Sequence, residues 1–306
     1  MKPVHLSTCV WGGWHLETLT RVVWPCILAT GNLPAFMRER AATYRICTTR
    51  RDQLKLRELP IFQSISHLVP VEFIDTPTEN PEPQFHMDRF AAAMQEARDA
   101  GAIYFNLWPD VIFADQTLAC AAQAMSNSHS GWLPSFRVVS ETCVEDVVNS
   151  SGRLPDSPIS ISPGELVRLG VRHMHPLSAT GVANALHGRP DTGLLFRVAG
   201  EGFVSRTSCN CLFMDPEHIG ITPDGAITTN DPHPAVHIVS DSDDLFFLSL
   251  APLYKELETF RPHHSNDALD IARLTMLPHV KVSPFTDQLD RVCTRLHYGA
   301  MTEAVW

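Results

Sequence analysis

Along this chain the spacing of hydrophobic and polar positions changes several times, and each change marks an element. Pro3–Val10 is a short β-compatible run that ends at Trp11-Gly12-Gly13. From Trp14 to Leu28 the apolar residues Leu16, Leu19, Val22, Val23, Cys26 and Ile27 recur at about 3.6-residue spacing, the pattern of one helix face. Ala41–Thr48 reads as a second strand running into polar Thr48–Asp52, with a helical stretch after it, and Val69–Ile74 reads as a third, followed by the Pro-rich segment Thr76–Pro83. Phe85–Ala100 sets Phe90, Met94 and Ala97 among charged Asp88, Arg89, Glu96, Arg98 and Asp99, as a surface helix does. It leads into Gly101–Trp108, nearly all apolar, as expected of a parallel strand covered on both faces. Pro109-Asp110 stops that strand, and Asp115 is placed to cap a helix over Gln116–Met125.

Repeated β-α-β units of this kind predict an α/β fold, an open and mostly parallel sheet with flanking helices and right-handed crossovers. Beyond residue 130 the pattern loosens into an irregular C-terminal extension. Trp132–Ser140 reads as a strand and Asn149–Pro163 as a loop. Ser162-Pro163-Gly164-Glu165 has the chemistry of a helix start, for a helix expected to reach about His175. Leu194–Val198, Cys209–Met214 and Val236–Val239 are further expected strands, and Asp243–Pro252 is expected to open a helical region.

Composition narrows the function classes. The 306 residues are 44% hydrophobic and 19% charged, which suits a chain that buries a large core. Net charge is −10, so nucleic acid has no electrostatic footprint to bind and is not an expected partner. A membrane-spanning helix needs about 20 consecutive apolar residues, and stretches such as Gly101–Leu107 and Leu245–Leu253 fall far short. The first residues lack the apolar segment of a secretory signal, so a cytoplasmic chain is expected. Eight scattered cysteines then read as reduced thiols, and Cys209-Asn210-Cys211 lacks the second pair of a structural zinc site.

In open α/β sheets, ligands bind beyond the carboxyl ends of the strands. Three such loops hold candidate nucleotide-binding chemistry. Gly12-Gly13 would admit a close backbone approach, and Trp11 offers a stacking face. Thr48 and Thr49 offer hydroxyls, Arg50 a guanidinium for phosphate, and Asp52 closes the same loop. Asp110 suits a divalent cation. Each has a plainer reading as a turn, strand end or solvated side chain. In the acidic run Ser240–Asp244, Asp241 or Asp243 caps the expected helix or, alternatively, serves as a catalytic general base. Arg168 and Arg172, four apart, either clamp phosphate or pair with Glu165.

Taken together, the Trp-Gly turn after the first strand, Pro25–Pro34 (PCILATGNLP), Tyr44–Thr49 (YRICTT) and Pro109–Asp115 (PDVIFAD) resemble bacterial glycosyltransferase-like proteins of the GT-A type. The similarity is clearest over the first half and looser over Arg168–Pro176 and Val239–Pro252. It implies a single GT-A-like domain over 1–306, with residues 1–130 as a nucleotide-binding half and 131–306 as an acceptor-side half. It further implies a nucleotide-sugar donor, an unidentified acceptor, and Mg2+ or Mn2+ held against the diphosphate by an acidic motif that ends the fourth strand. Asp110 matches the last carboxylate of that motif, and a late histidine, His233 or His237, would be a further metal ligand or base. The chain departs from the usual Asp-any-Asp pattern at Trp108, two residues before Asp110, where only Asn106 adds polarity.

Overall fold

A computed structural model describes residues 1–78, 81, 84–150, 156–179, 182, 194–198, 200, 202–206, 210–222, 227–229, 231, 234–253, 288 and 292–299. In chain order the elements begin β1 (Val4–Cys9), α1 (Gly13–Thr18), a π turn (Leu19–Val23), α2 (Trp24–Ile27), α3 (Leu33–Glu39), β2 (Ala42–Thr48), α4 (Arg50–Glu58), α5 (Pro60–Leu68) and β3 (Val71–Asp75). There follow α6 (Gln84–Asp99), β4 (Ile103–Asn106), β5 (Val111–Phe113), α7 (Thr117–Ala124), β6 (Ser130–Leu133), β7 (Arg137–Val139), α8 (Ser140–Ser150), α9 (Pro163–Arg172) and α10 (Pro176–Ala179). The remainder is β8 (Leu194–Val198), β9 (Gly202–Arg206), β10 (Asn210–Met214), β11 (Ile219–Ile221), β12 (Ile227–Thr229), β13 (Val236–Ile238), β14 (Phe247–Ala251) and β15 (Cys293–His297).

Seven strands form the central sheet in the order β13-β6-β10-β4-β1-β2-β3. Only β10 runs against its neighbours, antiparallel to β4 and β6; the other pairs are parallel. The expected α/β architecture with a mostly parallel sheet is therefore present. Strand alternation divides β1 between two layers. Val4 and Leu6 enter the larger core, with Tyr44, Ile46 and Phe105, beneath α2, α3, α5 and α7. His5, Ser7 and Cys9 belong to the opposite face, where α6 packs through Ala93, Met94 and Ala97. The π turn ends at Val23, two residues before Pro25, whose missing N–H and ring disturb a regular helical register.

Beside this sheet, β5, β14 and β7 form a three-stranded sheet packed with α8 and α9 around Phe136, Phe246 and Leu248. Here the structure corrects several expectations. Asp243–Pro252 contains β14 instead of a helix, because Phe247–Ala251 is paired on both sides, antiparallel to β5 and parallel to β7. Trp132–Ser140 is two strands, interrupted at Pro134, which has no N–H to give a ladder. Ser162 caps α9 by accepting a hydrogen bond from Glu165 N at 3.3 Å, although the helix ends at Arg172 instead of near His175. At α7 the cap is Gln116 in a left-handed conformation. Asp115 instead accepts from Gly31 N (2.9 Å) and Ser160 Oγ (2.6 Å).

Gly131 on β6 lies opposite Phe213 of β10, and a Cβ at this position would overlap the Phe213 ring. Gly131→Ala is expected to lower stability by about 1–3 kcal/mol, the scale of overpacking in a close-packed interior. Urea unfolding checks this: the midpoint falls while the slope is kept, and an unchanged midpoint would show that the two strands have slack.

Candidate functional site

The order of the central sheet reverses at β1. The chain proceeds outward through β2 and β3, then returns to place β4 on the other side of β1. Such a reversal opens a crevice beyond the carboxyl ends of the two central strands. A cleft of ≈ 380 Å³ lies there, lined by Cys9, Val10, Trp11 and His15 after β1, by Trp108, Pro109 and Asp110 after β4, and by Pro81 and His86 at the approach to α6. Trp11 packs edge-on against Phe85 with centroids 5.8 Å apart, and Trp108 packs on Phe247 at 5.3 Å. The Asp110 carbonyl accepts from Leu250 N at 2.7 Å, which anchors this loop to the small sheet.

Of the residues expected to bind a nucleotide, Trp11 lines the cleft; Gly12 and Gly13 lie in sequence between its lining residues Trp11 and His15 without lining it themselves, and Gly12 caps α1 at φ +81°. Only glycine adopts that left-handed angle at little cost. The second loop is differently employed. Thr49 caps α4 by accepting from Asp52 N at 3.1 Å, and the Asp52 carboxylate pairs with Lys55 at 2.8 Å. Arg50 is exposed and reaches Gln53 at 3.3 Å, whereas Thr48 is fully buried and its Oγ1 has no hydrogen-bond partner among the described residues. None of Thr48, Thr49, Arg50 and Asp52 lines the cleft.

The expected metal set is not assembled among the described residues. His233 lies outside them. His237 is on β13 at the far edge, with β6 and β10 between its strand and β4; burial lowers its pKa. Asp110 belongs to neither of the two groups of three metal-capable side chains found among the described residues. One of these groups is His129, His218 and Asp231, whose imidazoles stack at 3.6 Å. The other is Asp241, Asp243 and His297.

Asp241 and Asp243 cap no helix and do not line the cleft. Because Ala114 N bonds to Phe246 O while Leu250 N bonds to Asp110 O, the acidic turn and Asp110 lie toward opposite ends of the β5–β14 ribbon. The Asp241 carboxylate receives Asp243 N (3.0 Å), Arg295 Nε (3.0 Å) and His297 Nε2 (2.9 Å). Arg172 pairs with Asp146 at 3.0 Å and Arg168 reaches the Tyr298 carbonyl, so neither takes Glu165 as expected. These arginines border a larger hollow of ≈ 450 Å³ between α8 and α9, outside the central sheet and with its Arg172–Asp146 charges already matched.

Cys9, His15 and His86 were missed from sequence, although the first two lie within six residues of the recognised Gly-Gly turn. His86 opens to solvent on one side, while crowding by the cleft wall desolvates the ring and lowers its pKa. No protein-family model matches the chain, and no curated protein matches it.

The acidic turn generates a pH prediction. Burial opposes charge on His297, but hydrogen bonds to Asp241 and the Gly299 carbonyl outweigh it and raise the pKa above 6.5. A raised folded-state pKa stabilises fully below the unfolded value and loses that contribution as pH rises through the folded one. Asp241→Asn, which also weakens the Arg295 pair, should therefore cost more stability at about pH 5.5 than at about pH 8.5. Denaturant titrations of both proteins measure the difference, and equal losses at the two pH values would contradict the ion pair.

Proposed function

We propose that the cleft between β1 and β4 binds a nucleotide-sugar and that the protein transfers the sugar to an acceptor hydroxyl, as a GT-A-type glycosyltransferase. The observation that carries this reading is the convergence of Trp11 and Asp110, far apart in sequence, in one cleft at the reversal point of the sheet. Trp11 supplies a face for the base, and the Gly12 backbone leaves room for phosphate. The donor set suits Mg2+ or Mn2+ held chiefly by the diphosphate, since Asp110 is the one carboxylate among the described residues that line the cleft and Mg2+ usually keeps waters and substrate phosphates as ligands. When bound, such an ion would neutralise charge on the departing diphosphate.

In the transfer, the bond from the anomeric carbon to the diphosphate oxygen breaks and a bond to the acceptor oxygen forms. The acceptor proton needs a base. Asp241 is already engaged by Arg295 and His297, so we assign proton acceptance to His86, kept neutral near pH 7 by its lowered pKa and open to solvent at the cleft. One observation favours a second reading, a nucleotide-, glycan- or protein-binding module without transfer: among the described residues the cleft lining holds a single carboxylate where the resembled motif has two.

Calorimetric titration of UDP and GDP, with and without Mn2+, tests both readings. Wild type is expected to bind with Mn2+ dependence, and Asp110→Ala to lose that dependence while its ligand-free melting temperature is kept. Trp11→Ala should weaken binding by about tenfold or more with or without metal, since stacking a base is worth about 1–3 kcal/mol. His86→Gln should leave affinity intact and lower transfer or donor hydrolysis by about a hundredfold or more, the usual contribution of a positioned base. Binding indifferent to Mn2+, with no donor turnover, selects the module. Absence of nucleotide binding rejects both.

A further inference from the structure

We propose that Cys9 and Cys47 form a dithiol modification site, which small disulfides entering the cleft convert to an intramolecular disulfide. The two residues are in-register partners at the carboxyl ends of parallel β1 and β2. Neighbouring strands lie about 4.8 Å apart, within the roughly 4.4–6.8 Å Cα separation that a disulfide spans. Register partners also project from the same face of a sheet, here the face covered by α6. Both cysteines are free.

Access is unequal. Cys9 is partly exposed and lines the cleft, whereas Cys47 is only 2% exposed. A reagent in the cleft therefore meets Cys9, and Cys9 meets Cys47. The hydrogen bond between the thiols raises the Cys9 pKa, with burial adding to the rise, and lowers that of Cys47. Arg89 of α6 favours the thiolate at both. Its guanidinium is buried, its two terminal nitrogens are held by Glu96, and its Nε has no hydrogen-bond partner among the described residues. A thiolate beside a fixed positive charge is the usual environment of a reactive cysteine.

The chemistry is two exchanges. As the Cys9 proton passes to Cys47, the Cys9 sulfur attacks one sulfur of a small disulfide, forming a mixed disulfide and releasing one thiolate. Cys47 then attacks the Cys9 sulfur; the Cys9–Cys47 bond forms, the second small thiolate leaves, and the Cys47 proton goes to it. The protein pair is oxidised by two electrons and the small disulfide is reduced to two thiols.

Oxidised glutathione applied to the full chain, followed by acid quenching, alkylation and peptide mass spectrometry, tests this independently of any nucleotide. Wild type should yield Cys9–Cys47 linked peptides. Cys47→Ser, which lacks both the thiolate that takes the Cys9 proton and the sulfur that resolves the adduct, should acquire glutathione on Cys9 more slowly but retain it, so that the mixed disulfide replaces the cross-link. Cys9→Ser should leave Cys47 unmodified, and exposed Cys293 should react in all three proteins. The wild-type cross-link needs no variant, so a misfolded mutant leaves the test intact. Absence of the linked peptide, or modification of Cys47 in Cys9→Ser, would overturn the proposal.

Discussion

A chain of three buried hydrogen bonds holds the central strands and the cleft in one frame. Trp24 Nε1 donates to Tyr44 Oη (3.1 Å), Tyr44 donates to Thr8 Oγ1 (2.8 Å), and Thr8 donates to the Leu107 carbonyl (2.6 Å). Its direction is forced, because the indole can only donate and the carbonyl can only accept. Burial pushes the Tyr44 pKa up to about 12, so the phenol keeps the proton that it must give. All four residues are essentially sealed from solvent, where an unmade hydrogen bond costs more than a made one contributes. The chain thus joins α2, β2, β1 and the segment just before Trp108 and Asp110. Through it, the helix that follows the Gly-Gly turn and the loop that ends β4 are held to the same two strands.

The two faces of that sheet differ in kind. One is a largely apolar core crossed by this polar thread. The other carries Arg45, which reaches Glu96 at 2.6 Å while Glu96 also holds Arg89, so charge is neutralised between sheet and α6 instead of being excluded. Such a face is costly unless every group is paired. Here Arg89 keeps one unmatched Nε near the two thiols. Arg89, fixed on Glu96, thereby sets a positive charge beside the proposed dithiol.

The elements that sequence patterning anticipated well are those with a long period or distinctive punctuation. The helix through Leu16–Ile27, the amphipathic α6, the strands β1 to β3 and the Ser162 cap all follow from residues close together in the chain. The failures share a cause. Phe247–Ala251 is a short apolar run, for which helix and strand spacings cannot be told apart; its pairing with β5 and β7 decides the matter, and that is long-range information. Once β14 is a strand, Asp241 has no helix to cap and turns to Arg295 and His297, residues more than fifty positions later. Trp11 and Asp110 were identifiable because each follows a strand. His86 was not, because only the return of α6 toward β1 and β4 brings it to the cleft.

The most direct test of the central claim is a crystal structure of the protein grown with UDP and Mn2+. Density for the nucleotide between Trp11 and Trp108, with its diphosphate beside Asp110, is the predicted result. Nucleotide bound instead in the hollow between α8 and α9, at Arg168 and Arg172, with the cleft left to solvent, would contradict it.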